Sequence, residues 1–460
     1  MIEFINKYLL GTAVPVLLIL AGIFYTVRLR AFHVLRPVAV IRSLTKKNES
    51  DGISPFRAVT LALAGTLGVG NIVGVAAAIG LGGFGAVFWM WISALCAMLL
   101  KYAEIVLAMC HRRYDSDGAP HGAAMYYIKD MFCSRALPRL GRMIASVFAI
   151  LCILNAISMG SMIQANAISE SLGGVFGIPP LACGIALALL CVIIISRGTE
   201  GMAKFTEMLV PLMTLGYIVI SLAVLILRRD MLWGALCRII RDAFSPVATA
   251  GGISGFLLSR SLRYGTMRGL ISNEAGCGTA PAAHASSNAK SPAEQGFWGI
   301  FEVFTDTIVL CTMTAFVIIV SFDGALCDGS WIMMTINAYA AVLGRSASVF
   351  LSVAVLCFGF ATIVCWAHYG VESVRYLNPK PGYKNLFIFI YCASSLVGAF
   401  PMSEAIWSAA DFAIGAMTLI NVTVICFMSS EVKFETEIYF KNNDKKAKNK
   451  ALRIEKRSTR

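Results

Sequence analysis

The sequence predicts an all-α polytopic membrane protein whose helices form one bundle, and three observations carry that reading. Of the 460 residues, 58% are hydrophobic and 14% charged, and mean hydropathy is +0.74, beyond the range of an ordinary soluble domain. Hydropathy also separates about eleven apolar runs of membrane-crossing character. Two of those runs are interrupted by glycines at comparable depth: Gly65-Thr66-Leu67-Gly68-Val69-Gly70-Asn71-Ile72-Val73-Gly74 and Thr249-Ala250-Gly251-Gly252-Ile253-Ser254-Gly255.

The first run, from Tyr8 to Val27, is too long for a signal-peptide core and lacks a cleavage site, so it reads as a retained span. Residues 28–55 follow with Arg28, Arg30, Arg36, Arg42, Lys46 and Lys47, and suit an interfacial amphipathic segment on the cytoplasmic surface. The remaining ten runs, numbered spans 1 to 10, lie at about 56–80, 86–109, 143–171, 179–196, 205–227, 243–259, 297–320, 347–370, 385–401 and 405–428. Placing the N-terminus outside and the C-terminus inside puts about 32 of the 39 Lys and Arg residues on the cytoplasmic side, so the net charge of +13 reads as positive-inside bias rather than as a nucleic-acid surface. The predicted location is the plasma membrane, the inner membrane of a bacterium, with one transport domain over 1–430. A basic cytoplasmic tail over 431–460 is suited to anionic headgroups of the lipid bilayer.

Spans 1–5 (56–227) and 6–10 (243–428) are two sets of five, and an odd number sets them in opposite orientations, as an inverted repeat requires. The glycine breaks fall in span 1 and span 6, the corresponding members. Glycine costs about 1 kcal/mol against alanine inside a helix, so four within ten residues favour a break. A break at mid-membrane leaves N–H and C=O groups that lipid cannot satisfy, and they must be buried or line a cavity. Gly68, Gly70 and Gly74 do not share one packing stripe, and Asn71 is an amide that lipid disfavours.

Other polar groups inside the spans are few. Ser158, Ser161, Gln164 and Asn166 lie in span 3; Thr362, Trp366, His368 and Glu372 mark the cytoplasmic part of span 8. Thr362 and Trp366, four apart, share a helix face; a lone Thr either bonds its own backbone or meets a ligand, and a Trp either packs or lines a site. Lys101 and Glu104 are expected to pair with each other, while Asp306 and Asp411 are isolated acids in apolar runs. The 14 cysteines show no C-x-x-C spacing, which argues against a disulfide framework or a metal centre. H-E-x-x-H, G-x-S-x-G and G-x-x-x-x-G-K-[ST] are all absent, so the chain is expected not to be an enzyme and any uphill transport must draw on an ion gradient. A channel is the alternative, since broken helices also form selectivity filters, but two unlike breaks without fourfold repetition count against it.

The stretches Gly65–Glu104 and Ser272–Gly296 resemble signatures of the alanine or glycine:cation symporter family, as do Asp306-Thr307, Gln164-Ala165-Asn166, Phe360-Ala361-Thr362 with Trp366, and Ala410-Asp411 with Asn421. The chain departs from the family pattern at Pro120-His121-Gly122-Ala123-Ala124 and over 196–203. The resemblance implies the inverted-repeat fold of the leucine transporter type, with eleven helices, and uptake of alanine or glycine, with serine a further candidate, coupled to sodium or alternatively to a proton. No cofactor beyond the coupling ion is implied. Thr66, Gly70, Asn71, Gln164, Thr362 and Trp366 match positions that line the family's site, to which the breaks add Gly68, Gly251 and Gly252 for the substrate. Sodium is expected at the carbonyls of Ala64 and Leu67 with the Thr362 hydroxyl. Glu274, beyond the predicted end of span 6, is expected on the cytoplasmic side as part of a gate.

Overall fold

The computed structural model describes residues 11–44, 52–116, 118–244, 260–322 and 330–442, and these are almost wholly helical. Among the described residues six helices are long and apolar enough to cross a membrane singly: Gly85–Cys110, Pro138–Phe176, Gly198–Leu227, Pro292–Ser321, Arg345–Leu377 and Glu404–Phe427, which correspond to spans 2, 3, 5, 7, 8 and 10. Pro55–Thr66 and Val69–Gly82 together make a seventh, bent by 56°. Gly11–Arg28, Pro180–Ile195 and Pro381–Gly398 occupy the places of the leading run, span 4 and span 9.

The sequence marks many of these starts. Pro55, Pro138, Pro180, Pro292 and Pro381 stand in the first turn of their helices, where a missing N–H costs nothing. Ser54, Ser291 and Ser330 add caps, accepting hydrogen bonds from the amides of Arg57, Glu294 and Met333.

Span 2 is the axis of the bundle. In its most apolar window 83% of residues are buried, against 28% in span 5, which faces outward. Span 2 packs on span 7 and on a helix at Arg260–Asn273; span 3 packs on span 8, and span 4 on span 9. Gly269 allows the second of these contacts, since a Cβ there would stand 2.7 Å from Ser93 Oγ.

Span 6 differs from expectation. Residues 245–259, with the predicted ligand positions Gly251 and Gly252, lie outside the described residues. Beyond them the structure adds the helix Arg260–Asn273, where hydropathy predicts a cytoplasmic connection. One face of this helix, with Leu262, Gly265, Gly269 and Leu270, is buried in the bundle, and its start is tied to span 1: Arg260 Nε donates to the Leu81 carbonyl at 2.9 Å and Ser261 Oγ to the Gly82 carbonyl at 2.7 Å. Arg260 therefore stands at the Gly82 end of span 1, not at its Pro55 end.

The tail differs too. Residues 429–442 form a helix with Val432 and Tyr439 buried, and Thr436 Oγ1 meets Tyr102 Oη of span 2 at 2.7 Å. On the Pro55 side a two-residue ladder pairs Arg113–Tyr114 with Pro120–His121, in the stretch that departs from the family pattern. On the Gly82 side the helix Trp331–Leu343, unmarked by hydropathy, packs against Val73–Gly82.

Candidate functional site

Span 1 breaks where the glycines predict. Pro55–Thr66 ends as the Leu67 amide bonds to the Leu63 carbonyl; a single 3₁₀ turn, Val69–Asn71, follows before the helix restarts at Val73. The Gly68 amide turns to the Thr66 carbonyl at 2.9 Å and the Val69 amide to Gln164 Oε1 at 3.2 Å. The Ala64 and Gly65 carbonyls thus lose the donors an unbroken helix would supply. Thr362 Oγ1 takes up one of them, standing 2.8 Å from the Ala64 carbonyl and 3.0 Å from its own-helix carbonyl at Phe358. The hydroxyl has one hydrogen for two acceptors. Gly68 must be glycine here: a Cβ would lie 2.5 Å from Thr362 Oγ1 and 3.3 Å from Gln164 Oε1.

Gln164 is held from behind by a second irregularity. Span 3 widens into a π-helical stretch over Ala156–Met162, and the Met159 carbonyl accepts Gln164 Nε2 at 3.2 Å. In the same stretch Gly160 lies flat against Trp366; a Cβ at Gly160 would collide with the indole side chain.

A cavity of about 340 Å³ opens between the break and the Gly82 side of the bundle. Thr66, Gly68, Gly70, Gln164 and Trp366 all line it. Asn71 does not: its Nδ2 donates to Asp306 Oδ1 at 2.6 Å, behind the wall, and its side chain is buried. Asp306 sits in the π-helical stretch Phe304–Cys311 of span 7 and also accepts from Ser272 Oγ at 3.0 Å and Thr307 Oγ1 at 2.7 Å. Ala64, Leu67 and Thr362 form the buried seat below the break rather than the cavity wall.

The cavity also carries groups that the sequence reading passed over or, for Glu274, placed elsewhere. Glu170, Arg268, Glu274 and Trp407 line it, with Asp411. Arg268 and Glu274 escape hydropathy because their stretch is polar, yet both lie within or beside the Ser272–Gly296 signature region, the signal that could have found them. Glu274, expected at the cytoplasmic surface, is 1% exposed. Trp366 Nε1 donates to its Oε1 at 3.0 Å and Thr279 Oγ1 to its Oε2 at 2.7 Å. The loop it opens is sharply turned, with positive φ at Glu274, Gly276 and Gly278 (52°, 84° and 77°).

That loop is clamped by buried side chains. Lys101 Nζ donates to the Asn273 carbonyl at 2.8 Å, the Gly278 amide donates to Glu104 Oε1 at 3.0 Å, and Asn421 Nδ2 donates to the Gly276 carbonyl at 2.9 Å. Lys101 and Glu104 do not pair with each other as expected. Lys101 pairs with Glu302 of span 7 at 3.1 Å, and Glu302 also meets His284 at 3.2 Å. Each carboxylate takes the partner that tertiary packing presents, and the sequence spacing of three does not decide it. Among the described residues no group of three or more His, Cys, Asp and Glu could hold a metal ion, and at the break the Ala64 carbonyl and Thr362 Oγ1 bring two oxygens within 2.8 Å.

Comparison with known proteins agrees with this architecture. The sequence pattern of the sodium:alanine symporter family matches residues 1–453. The sodium/alanine symporter AgcS of Methanococcus maripaludis is 32% identical over 98% of this chain and 99% of its own length. A probable sodium/glutamine symporter, GlnT of Bacillus subtilis, is 34% identical over 93% of this chain and 88% of its own. Among solved structures, MhsT in complex with L-phenylalanine superposes with a TM-score of 0.59 at 13% identity, covering 85% of this chain and 93% of that one, a likeness of fold alone. The chain is a transporter, not an enzyme, and belongs to the sodium:alanine symporter family.

Proposed function

We propose that this protein is a plasma-membrane symporter that couples sodium entry to uptake of a small neutral amino acid by alternating access, and that the cavity is its outward-facing substrate path. The observation that carries the reading is the seat at the break, where the Ala64 carbonyl, released from its helix, meets Thr362 Oγ1 at 2.8 Å. Two oxygens from different spans converge there, and the Leu67 carbonyl lies beside the same break. A sodium ion needs such donors in place of its hydration shell, and its arrival would draw spans 1 and 8 together.

The zwitterion sits above, against Thr66, Gly68, Gly70 and Gln164, with Trp366 and Glu274 as the floor. A cavity of about 340 Å³ is near the lower end of ligand pockets. Alanine, glycine and serine are the proposed substrates; the cavity as it stands has room for larger side chains, so exclusion of leucine and phenylalanine rests on closure of the glycine-lined break against Trp366. Equal likeness to alanine- and glutamine-named relatives leaves substrate choice to the pocket rather than to overall identity.

Eleven spans in a 5+5 inverted repeat account for the packing. With Arg260–Asn273, rather than 243–259, taken as span 6's member, four of the five mate pairs touch directly: Val73–Gly82 with Arg260–Asn273, span 2 with 7, span 3 with 8, and span 4 with 9. Moving Arg260, Arg263 and Arg268 out of the cytoplasmic tally leaves about 29 Lys and Arg there, so an outside N-terminus still satisfies the positive-inside bias.

Uptake of labelled alanine into proteoliposomes tests the reading. A sodium gradient should drive accumulation that unlabelled glycine suppresses and leucine does not. Thr362→Val keeps the shape but removes the oxygen, and should raise the sodium concentration for half-maximal uptake several-fold. An unchanged sodium dependence in that variant would move Thr362 back to a bond with its own helix. Accumulation independent of sodium would remove the symport reading itself.

A further inference from the structure

At the Pro55 end of the bundle, the leading helix Gly11–Arg28 and the helix 429–442 enclose a groove of about 470 Å³. Its charged lining is Arg28, Arg30, Arg36, Lys433 and Lys441, with Glu437 the acid among the described residues. Internal partners do not use up this charge. Lys433 approaches Glu437 only to 3.8 Å, and Arg36 rests on the Phe440 ring at 5.0 Å. Arg28 spends Nη2 on Ser430 Oγ at 2.7 Å, while its buried Nε has no acceptor among the described residues.

The backbone is bent to make this cluster. Arg30 and Ala31 both have positive φ, 55° and 46°, in residues that are not glycine. Consecutive left-handed residues cost roughly 1–2 kcal/mol each and persist only where surrounding structure holds them. The turn brings Arg30 and Arg36 to the same groove as Arg28.

The surroundings identify the depth in the membrane. Leu20, Ile23 and Val27 of the leading helix are exposed, and the apolar exposure continues through Val34, Leu35 and Val38. That ladder belongs against acyl chains, so the groove at its end lies at headgroup level. A cluster of cations immediately beyond a span, with hydrocarbon-facing residues beside it, matches a phosphate with acyl chains attached. The chain beyond residue 442 offers little competing counter-charge, carrying eight Lys and Arg against Asp444 and Glu455.

We propose that this groove binds the headgroup phosphate of an anionic phospholipid, which bridges the leading helix to the helix 429–442. The site is separate from the transport path and does not depend on the symport reading.

Native mass spectrometry and thermal melts of the full-length protein in detergent test it. Phosphatidylglycerol, phosphatidylcholine and inorganic phosphate are added in parallel. Each juxtamembrane cation strengthens retention about fivefold. Wild type should retain phosphatidylglycerol strongly over phosphatidylcholine and melt higher with it. The double variant Arg30→Gln/Arg36→Gln should lose about 25-fold in retention, and the melting shift with it. Arg139→Gln/Arg142→Gln, which removes two exposed cations elsewhere on the same side, should retain the lipid as wild type does. Equal retention by the groove variant, an equal shift from phosphatidylcholine, or an equal shift from inorganic phosphate would each overturn the proposal. The variant's folding is checked by its melting without added lipid, and a collapse there directs the same comparison to Lys441→Gln, which should lose about fivefold.

Discussion

Two turns of irregular backbone face each other across the floor of the cavity, and they are built in opposite ways. The break over Gly65–Gly74 lies in an apolar helix and frees backbone groups, leaving the Ala64 carbonyl to a single Thr362 hydroxyl. The loop Ser272–Gly278 lies in a polar stretch and has its backbone groups claimed: Lys101 holds Asn273, Asn421 holds Gly276, and Glu104 holds Gly278. Spare valence is what a ligand needs; claimed valence is what a fixed partition needs. Under the proposed function the first region is the one that cargo completes, whereas the second closes the Pro55 side of the cavity. The difference predicts different phenotypes on the two sides.

The largest effect should come from the clamped loop. Lys101→Ala removes the lysine partner of buried Glu302, leaving it His284 alone, and the donor to Asn273. Breaking such a pair costs about 3–5 kcal/mol, because a buried charge is left uncompensated. The melting temperature should fall steeply and equally with and without sodium. If sodium restores it, the loop belongs to the ion site and the contrast fails.

Gly68→Ala probes the other side. Its Cβ would press on Thr362 Oγ1 and Gln164 Oε1, and overpacking of this kind costs about 1–3 kcal/mol. Melting without sodium should fall by that modest amount, less than for Lys101→Ala, while half-saturation by sodium should rise about tenfold because the same Cβ displaces the Thr362 hydroxyl. A large loss of stability with normal sodium dependence would make Gly68 a packing residue only.

Trp366→Phe sits between the two regions. It keeps most of the ring but deletes the N–H that reaches Glu274, leaving Thr279 as that carboxylate's remaining side-chain donor. Stability should fall by about 1 kcal/mol, and the substrate concentration for half-maximal uptake should rise. Unchanged values for both would show that the indole nitrogen matters to neither side.

The smallest effect lies away from both regions, where His111 bridges Asp130 at 2.8 Å and Glu431 at 3.1 Å on the Pro55 side. Burial disfavours the charged ring, but the bonds to Asp130 and Glu431 outweigh it and raise its pKa from 6.5 to about 9. Because the folded value is raised, the contribution is complete below pH 6.5 and is lost as pH rises through about 9. Although burial opposes it, Asp130 is held below its ordinary value by His111 and Arg113, so its share is present above that ordinary value and fades as pH falls through the lowered one. Melts of wild type and His111→Gln should therefore converge above pH 9 and separate near pH 6. Parallel curves across that range would rule the bridge out as a stabilising element.

Much of the candidate site was legible in the sequence because it is made of exceptions to an apolar rule. Glycines and amides inside hydrophobic runs announce themselves, which is why Gly68, Gly70, Gln164 and Thr362 could be named. Asn71 was named on the same ground, yet which way its amide turns depends on Asp306, more than two hundred residues away.

Apolar run length, glycine interruption and charge bias by themselves determined the membrane class, the position of the span 1 break and most helix starts, because each is a local cost that sequence states directly. Tertiary structure alone decided that Arg260–Asn273 is a helix with one face packed into the bundle, that Lys101 chooses Glu302 over Glu104, and that Glu274 lines the cavity. Burying a polar group is unfavourable until its partner arrives, and partners from other helices are invisible to a local pattern. The same stretch of chain reads as a solvated loop alone and becomes the floor of the cavity once span 2 stands beside it.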